Sequence, residues 1–381
     1  MLFRNLILRE SRKRILYSSS SKQHLLCNKI NNNNASTIYR FKSTYAVAFD
    51  IDGVLYRGSN VMKDAVAAVN ALKARNVPII FLTNGGGQTE KQRAELLSKR
   101  LGNVEIDSKQ MFLAHTPMKY LDDLKKKNVV VLGKGDTKNV LKNYGYESVR
   151  TIGEFHLQHP YLFPDYWKTK DNNSSVTDDS KSDENKDVVV NNGKPPPVDA
   201  IIGIMNPEVW DRELQICCDI LRSDGNVGTL VKEQKVPIYM SCPDFEYVTE
   251  YNVPRFGAGV FSLVLRHVFK KLTGRKLELT NFGKPYRSTY DLAEQHLQEM
   301  AKDMGYEDGI TKIYGIGDNP KADIKGANDA SELWTSVLVR SGVFIGKGND
   351  EKNPADKVVD DVGARRKTLR YKTDEHSSLY T

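Results

Sequence analysis

The chain has 381 residues, 39% of them hydrophobic, four cysteines and a formal net charge of +8. That length suits two domains, or one domain with a large insertion, and no apolar run approaches the ~20 residues needed to span a bilayer. The charge does not indicate a nucleic-acid partner. Residues 1–44 hold nine basic residues against Glu10 alone, which is the whole excess, and the rest is balanced at 47 basic and 47 acidic. Cys27, Cys217, Cys218 and Cys242 show neither metal-ligand spacing nor a disulfide-rich pattern, which fits a reducing compartment.

Residues 1–43 are Arg-rich, Ser-rich and nearly free of acid. Leu2, Phe3, Leu6, Ile7 and Leu8 can form an apolar face beside Arg4, Arg9 and Arg12, the composition of a mitochondrial transit peptide. Removal is expected near Arg40 to Ser43. The plainer alternative is a disordered basic tail, and the run Asn31 to Asn34 argues against a packed domain here.

Ala46 to Phe49 is a short apolar run that predicts a buried strand. It stops at Asp50 and Asp52. Side chains alternate along a strand, so the two carboxylates are expected to emerge together at its carboxyl end. In open α/β sheets that edge is where ligands bind. An acidic turn is the bland reading of Asp-x-Asp alone. A helix follows over Lys63 to Arg75, a strand over Val77 to Leu82, the run Thr83-Asn84-Gly85-Gly86-Gly87, and a helix from about Gln88 to Arg100. Strand, helix, strand, helix implies a parallel sheet.

From about 108 to 281 the pattern predicts a second α/β unit. Met118 to Lys126 reads as a helix, Val129 to Leu132 as a strand, and Asp136 as the start of a helix to Asn143. Ala200 to Ile204 and Val236 to Met240 are further strands, with a helix over Asp211 to Arg222 between them. Gly259 to Leu272 carries Phe261, Val264, Leu265, Val268, Phe269 and Leu272 on one face, which helix burial explains. Gly133-Lys134-Gly135 is too weak a signal for a nucleotide loop. Residues 168–197 are rich in Asp, Ser, Asn and Lys and end in Pro195-Pro196-Pro197, which predicts a disordered insertion. Beyond 281, Pro285 suits the first turn of a helix running from Tyr286 to Met300. Lys312 to Ile316, Trp334 to Val339 and Val358 to Val359 complete the strands.

Four segments together form a chemical set: Asp50-Ile51-Asp52-Gly53-Val54-Leu55, Leu82-Thr83-Asn84-Gly85-Gly86, Phe282-Gly283-Lys284-Pro285, and Gly317-Asp318 through Asp323. In order and spacing they resemble the four motifs of the haloacid dehalogenase-like superfamily, class IIA, and the mitochondrial branch similar to the cat-eye-syndrome critical region protein 5 family. The resemblance covers the chain from Tyr45 onward. Gly86 departs from it, standing where class IIA relatives often carry a polar residue. The fold implied is α/β, with a Rossmann-like parallel-sheet core (44–107 and 282–381) and a large inserted α/β cap of C2 type (108–281). The resemblance implies Asp50 as nucleophile and Asp52 as acid/base. A magnesium ion would be held by the Asp50 carboxylate, the Asp52 backbone carbonyl and Asp318, with Asp323 supporting it through water. Thr83, Asn84 and Lys284 would bind phosphate. Ser241-Cys242-Pro243-Asp244 resembles a cap segment, so Asp244 is a candidate substrate contact, and a turn carboxylate is the alternative. Cys242 has no base at a telling spacing and reads as structural.

The leading expectation is a magnesium-dependent phosphatase in the mitochondrial matrix, acting on a small phosphorylated metabolite. The alternatives are a regulatory or binding protein of the same fold with little turnover, and a phosphotransferase linked to phospholipid-precursor metabolism. No nucleic acid and no transmembrane segment are expected, and a homo-oligomer through the cap is compatible with the resemblance.

Overall fold

Strand β1 (Tyr45–Phe49) is buried on both sides, as a strand inside a parallel sheet must be. Val47 and Phe49 enter one apolar cluster and Ala46 and Ala48 another, so the alternation of side chains divides the core into two layers. The structure is a computed structural model that describes residues 45–162 and 195–363, apart from 248, 250, 252 and 345. The expected transit peptide, and the expected insertion up to residue 194, lie outside the described residues.

After β1 come a short hairpin (Tyr56–Arg57 with Asn60–Val61), α1 (Ala65–Lys73), β2 (Ile79–Thr83), α2 (Glu90–Arg100) and β3 (Met111–Leu113). The chain then builds a second sheet from β4 (Asn128–Leu132), α3 (Thr137–Asn143), β5 (Ser148–Thr151), α4 (Ile152–Gln158), β6 (Ala200–Gly203), α5 (Trp210–Leu221), β7 (Ile238–Met240), α6 (Ala258–Thr273) and β8 (Leu279–Asn281). It returns through α7 (Arg287–Asp303), β9 (Lys312–Gly317), a turn at Pro320–Ile324, α8 (Lys325–Asp329), β10 (Trp334–Val339) and β11 (Lys357–Val359). The first sheet has the order β11-β10-β9-β1-β2-β3 and the second β8-β7-β6-β4-β5. Every pairing within both is parallel. The chain leaves β1 toward β2 and comes back to β9 on its other side, so β1 and β9 flank the switch point where the crevice of such a sheet opens.

Helices α1 and α2 bury Val69, Leu72, Ala94 and Leu97 against the Phe49 face. On the opposite face α7 buries Tyr290, Ala293, Leu297 and Ala301. The second sheet has its own core, in which Val130, Leu132, Ile201 and Ile238 meet Ile216, Phe261, Leu265 and Phe269. Among the described residues no helix is long and apolar enough to cross a membrane.

Four expectations are corrected. β3 pairs with β2, so 108–113 extends the first sheet and does not begin the insertion. Met118 to Lys126 forms two 3₁₀ turns, Thr116–Tyr120 and Asp122–Leu124. Met118 and Leu121, both buried, are three apart, the spacing that tighter helix aligns. Pro285 lies before the cap residue Tyr286 and outside the first turn of α7. Leu272, in the last turn of α6, is 51% exposed, while Phe261, Leu265 and Phe269 carry the burial.

Candidate active site

Asp50 continues the ladder beyond β1, its N–H donating to Ile316 O at 2.8 Å. Its carboxylate meets Lys284, which follows β8, at 2.7 Å. The same ammonium lies 2.6 Å from Asp323 and donates to Leu82 O at 2.9 Å. Those three contacts match the three hydrogens of a lysine. Asp323 stands in the turn after β9, where its second oxygen accepts from Asn319 N at 2.9 Å and Tyr290 of α7 donates to its backbone carbonyl at 3.0 Å. Asp318, directly after β9, is buried and accepts from Val343 N at 2.5 Å. Gly53 has φ 86°, and a Cβ there would lie 2.3 Å from Asp318 Oδ2, so only glycine closes the loop over this carboxylate.

Burial raises the pKa of Asp50, although Lys284 works against it. Burial, then the charges of Asp50 and Asp323, hold Asp318 well above the carboxylate range. Asp323 is raised to about 6, by burial against Lys284. Burial works to lower Lys284, but Asp323 and Asp50 outweigh it and hold the ammonium well above its ordinary value. Three buried carboxylates share one ammonium, so the cluster is short of positive charge. Oxygens of Asp50, Asp318 and Asp323 lie within 4.8 Å of one another. Hard oxygen donors, negative surplus and this spacing fit a divalent cation such as magnesium or calcium.

Asp52 takes a different direction. Its side chain is half exposed and pairs with Arg93 of α2 at 3.2 Å. The strand ends at Phe49, so the period-two rule no longer governs residue 52, although its charge is still felt by Asp50. Thr89 caps α2 and exchanges side-chain and backbone contacts with Gln92, which sets Arg93 one turn into the helix. The Arg93 guanidinium also reaches Gly85, and its Nε is buried without a partner among the described residues.

Thr83 closes β2, and its hydroxyl accepts from Gly85 N at 3.0 Å. The Asn84 side chain is engaged by protein partners. Its Oδ1 accepts from Lys284 N at 2.8 Å, and its Nδ2 donates to Lys284 O and to Asp244 Oδ1, both at 2.9 Å. The side-chain amide is thus spent on fixing Lys284 and on holding the inserted unit. Asp244 is pushed up to about 7 by burial, against the pull of Lys284 and the Asn84 hydrogen bond. Cys242 is buried and its thiol is pushed up to about 12 by burial, which suits a structural residue.

The structure therefore brings Asp50, Thr83, Asn84, Lys284, Asp318 and Asp323 to one edge, with Asp52 at its rim and Asp244 entering from the second sheet. Sequence reasoning missed Arg93. The signal available was its place one turn after the capping threonine of a helix that follows a glycine loop.

Residues 47–147 match the haloacid dehalogenase-like hydrolase family, and 281–364 match a HAD-hydrolase-like family. A mitochondrial hydrolase of Saccharomyces cerevisiae is 31% identical over 349 residues, covering 85% of this chain and 95% of its own. The chain belongs to the haloacid dehalogenase-like hydrolases. A cardiolipin synthase (CMP-forming)/mitochondrial hydrolase fusion protein of Schizosaccharomyces pombe is 36% identical over 321 residues. That match covers 83% of this chain, which spans about half (51%) of the fusion protein. Among solved structures, a hypothetical protein of Pyrococcus horikoshii aligns with TM-score 0.60 at 19% identity, over 86% of this chain and 100% of its own. The 4-nitrophenylphosphatase of Thermotoga maritima aligns with TM-score 0.54 at 17% identity, over 86% and 97%. These two likenesses are of fold, a hydrolase core with an inserted α/β unit. The family matches end at 147 and resume at 281, which leaves most of the inserted unit outside them.

Proposed function

We propose that this hydrolase is a magnesium-dependent phosphatase that cleaves a small phosphomonoester through an aspartyl phosphate. One observation carries the reading: Lys284 binds Asp50 and Asp323 together at the switch point, with Asp318 in the same cluster. The Asp50 carboxylate attacks phosphorus, forming an O–P bond as the ester O–P bond breaks. Asp52, reachable from solvent, gives its proton to the leaving oxygen. It then takes a proton from the water that attacks the acyl phosphate, freeing phosphate and Asp50. Asp50, Asp318 and the Asp52 carbonyl would hold the magnesium ion, which offsets the charge of the phosphoryl oxygens and of these acids. Thr83 and Lys284 orient the phosphoryl group, and Asn84 holds Lys284. Asp323 fixes the ammonium by direct contact and, in the same carboxylate cluster, would support the metal through water.

The test is phosphate release from an aryl phosphate in excess magnesium. Asp50→Asn should abolish it, because an amide cannot form the acyl phosphate. Asp52→Asn should slow turnover by about 10²–10⁴-fold and leave a phosphoryl group on the Asp50 peptide, read by mass spectrometry of quenched protein. An adduct on another residue, or near-native turnover by Asp50→Asn, would overturn the mechanism. We infer a mitochondrial matrix location from the composition of residues 1–43 and the names of both relatives. A reporter fused to residues 1–44 that stayed in the cytosol would refute it.

A second substrate reading is favoured by the hairpin after Asp244, Glu246–Tyr247 with Arg255–Phe256. Phe245, Tyr251, Val253 and Phe256 there are more than half exposed. An apolar group on the substrate would lie against such a surface. Because the S. pombe relative joins the hydrolase to a cardiolipin synthase, a glycerol-based phospholipid precursor belongs in the substrate panel, with both hydrolysis and transfer to an alcohol measured.

A further inference from the structure

A second buried polar cluster joins the two sheets, and the chemistry above does not use it. His115, just after β3, is fully buried. Its Nδ1 lies 2.8 Å from the Tyr144 hydroxyl and its Nε2 3.1 Å from the Gln88 carbonyl oxygen. Tyr144 caps the end of α3 in the inserted unit, and its hydroxyl also donates to Glu90, the first residue of α2. The Thr116 hydroxyl donates to the same Glu90 oxygen at 3.0 Å and accepts from Leu113 N at 2.9 Å.

A carbonyl only accepts, so Nε2 carries the hydrogen. Burial pushes His115 down to about 4, which keeps the ring neutral near neutral pH and makes Nδ1 an acceptor. Tyr144 thus sets one hydrogen between two acceptors, an imidazole nitrogen of the core and a carboxylate of the core. Removing that hydroxyl unpairs the imidazole nitrogen and leaves the Glu90 oxygen with Thr116 alone.

The cluster grips the loop that begins at Thr83. A Cβ at Gly86 would lie 2.7 Å from Ile204 O of the inserted unit and 3.1 Å from His115 Cδ2. The Gly87 carbonyl accepts from Asp136 N at 2.7 Å, and a Cβ at Gly135 would lie 2.4 Å from that oxygen. Residues 86 to 88 are held by cap backbone on one side and by His115 on the other. A side chain at position 86 has no room here.

We propose that His115, Tyr144 and Glu90 are positioning residues that set the Thr83–Gln88 loop according to where the cap sits, so that affinity for a phosphoryl group depends on cap docking. The choice of ligand rests on the phosphatase reading. The alternative, a satisfied buried network that serves stability alone, predicts a different readout.

The experiment compares the full chain with Tyr144→Phe, in excess magnesium, for inorganic phosphate affinity by calorimetry, for KM and kcat on an aryl phosphate, and for Tm. Tyr146→Phe is the control, since that hydroxyl donates to Met118 O at 2.9 Å and not to the Thr83–Gln88 loop. Tyr144→Phe should weaken phosphate binding and raise KM about tenfold with kcat within about threefold, the pattern of lost uniform binding. Adding Glu90→Gln should cost less than the sum of the two single changes, because part of what Glu90 holds runs through the Tyr144 hydroxyl. Tyr146→Phe should lower Tm and leave KM and phosphate affinity alone. A Tyr144→Phe that lowers Tm while KM and phosphate affinity stay at wild-type values overturns the proposal. His115→Gln, which keeps a donor toward Gln88, supplies the same measurements if Tyr144→Phe fails to fold. Phosphate binding without turnover would sink the phosphatase reading and leave this proposal to be decided by affinity; a wild type that binds no phosphate would overturn both.

Discussion

At the carboxyl edge of the first sheet, β1, β2 and β9 run out into Asp50, Thr83 and Asp318; at the same edge of the second sheet, β4, β6 and β7 run out into Gly133, Ile204 and Ser241. Both sheets are parallel, buried on two faces and covered by helices. One edge gathers three carboxylates and a lysine in one cluster, and the other meets the first unit mainly through glycine and backbone carbonyls. Parallel strands fix where a ligand can sit, and the residues that follow them decide what happens there. The second edge has its own use. Glycine and bare carbonyls let it lie directly on the Gly86–Gly87 backbone, and Asp244 reaches across to Asn84.

Removing the ammonium should break this contrast most severely. Lys284→Met leaves buried acids without their partner, a change that typically costs about 3–5 kcal/mol, read by denaturant unfolding in metal-free buffer; a loss below about 1 kcal/mol would mean that the ion pairs do not hold the charged edge together. Gly135→Ala attacks the second edge. The residue has φ 94°, and a Cβ would press on the Gly87 carbonyl, so overpacking of about 1–3 kcal/mol is expected, with a raised KM. Asp318→Asn should act in the opposite direction. Burial and two neighbouring acids hold this carboxyl well above its usual range, so ionising it at neutral pH opposes folding. The variant should gain a few degrees of Tm without metal, at about 2–4 °C per kcal/mol, and should lose the Tm rise expected of the wild type on adding magnesium. A lower metal-free Tm would contradict this. Asp244→Asn should have the smallest effect. The folded protein binds the Asp244 proton up to a pH of about 7, whereas an unfolded chain releases it near ~4. Its stabilisation is therefore complete below about 4 and is lost as pH rises through about 7. Thermal unfolding across that range should slope less in the variant than in the wild type, and equal slopes would remove Asp244 from the docking contact.

Much of the charged edge was legible because strand ends and glycine loops are local signals. Asp50, Thr83 and Asp318 fall where apolar runs stop, Lys284 and Asp323 were marked by the resemblance to the four motifs, and the fold class follows from alternating strands and helices. What was not legible depends on distant partners. The 3₁₀ turns at 116–124 bridge two sheets, and their spacing answers to that span more than to propensity. Nothing near Asn84 in the chain shows that its amide is taken by a residue 200 positions away. Arg93 and the His115–Tyr144–Glu90 cluster are surface-like or core-like by composition, and gain meaning only where α2 meets the inserted unit.

The return of the chain from β8 has a mechanical consequence. Three peptide links separate Asn281, in the edge strand of the second sheet, from Lys284, whose ammonium is bonded to both acids. Fully extended, three residues reach only about 10 Å, and Phe282 is already tied by its N–H to Met240 O at 2.8 Å. The cap thus hangs from Lys284 by a tether with almost no slack. A swing of the second sheet beyond that reach would draw Lys284 off its carboxylates, or else be halted by the strength of two ion pairs.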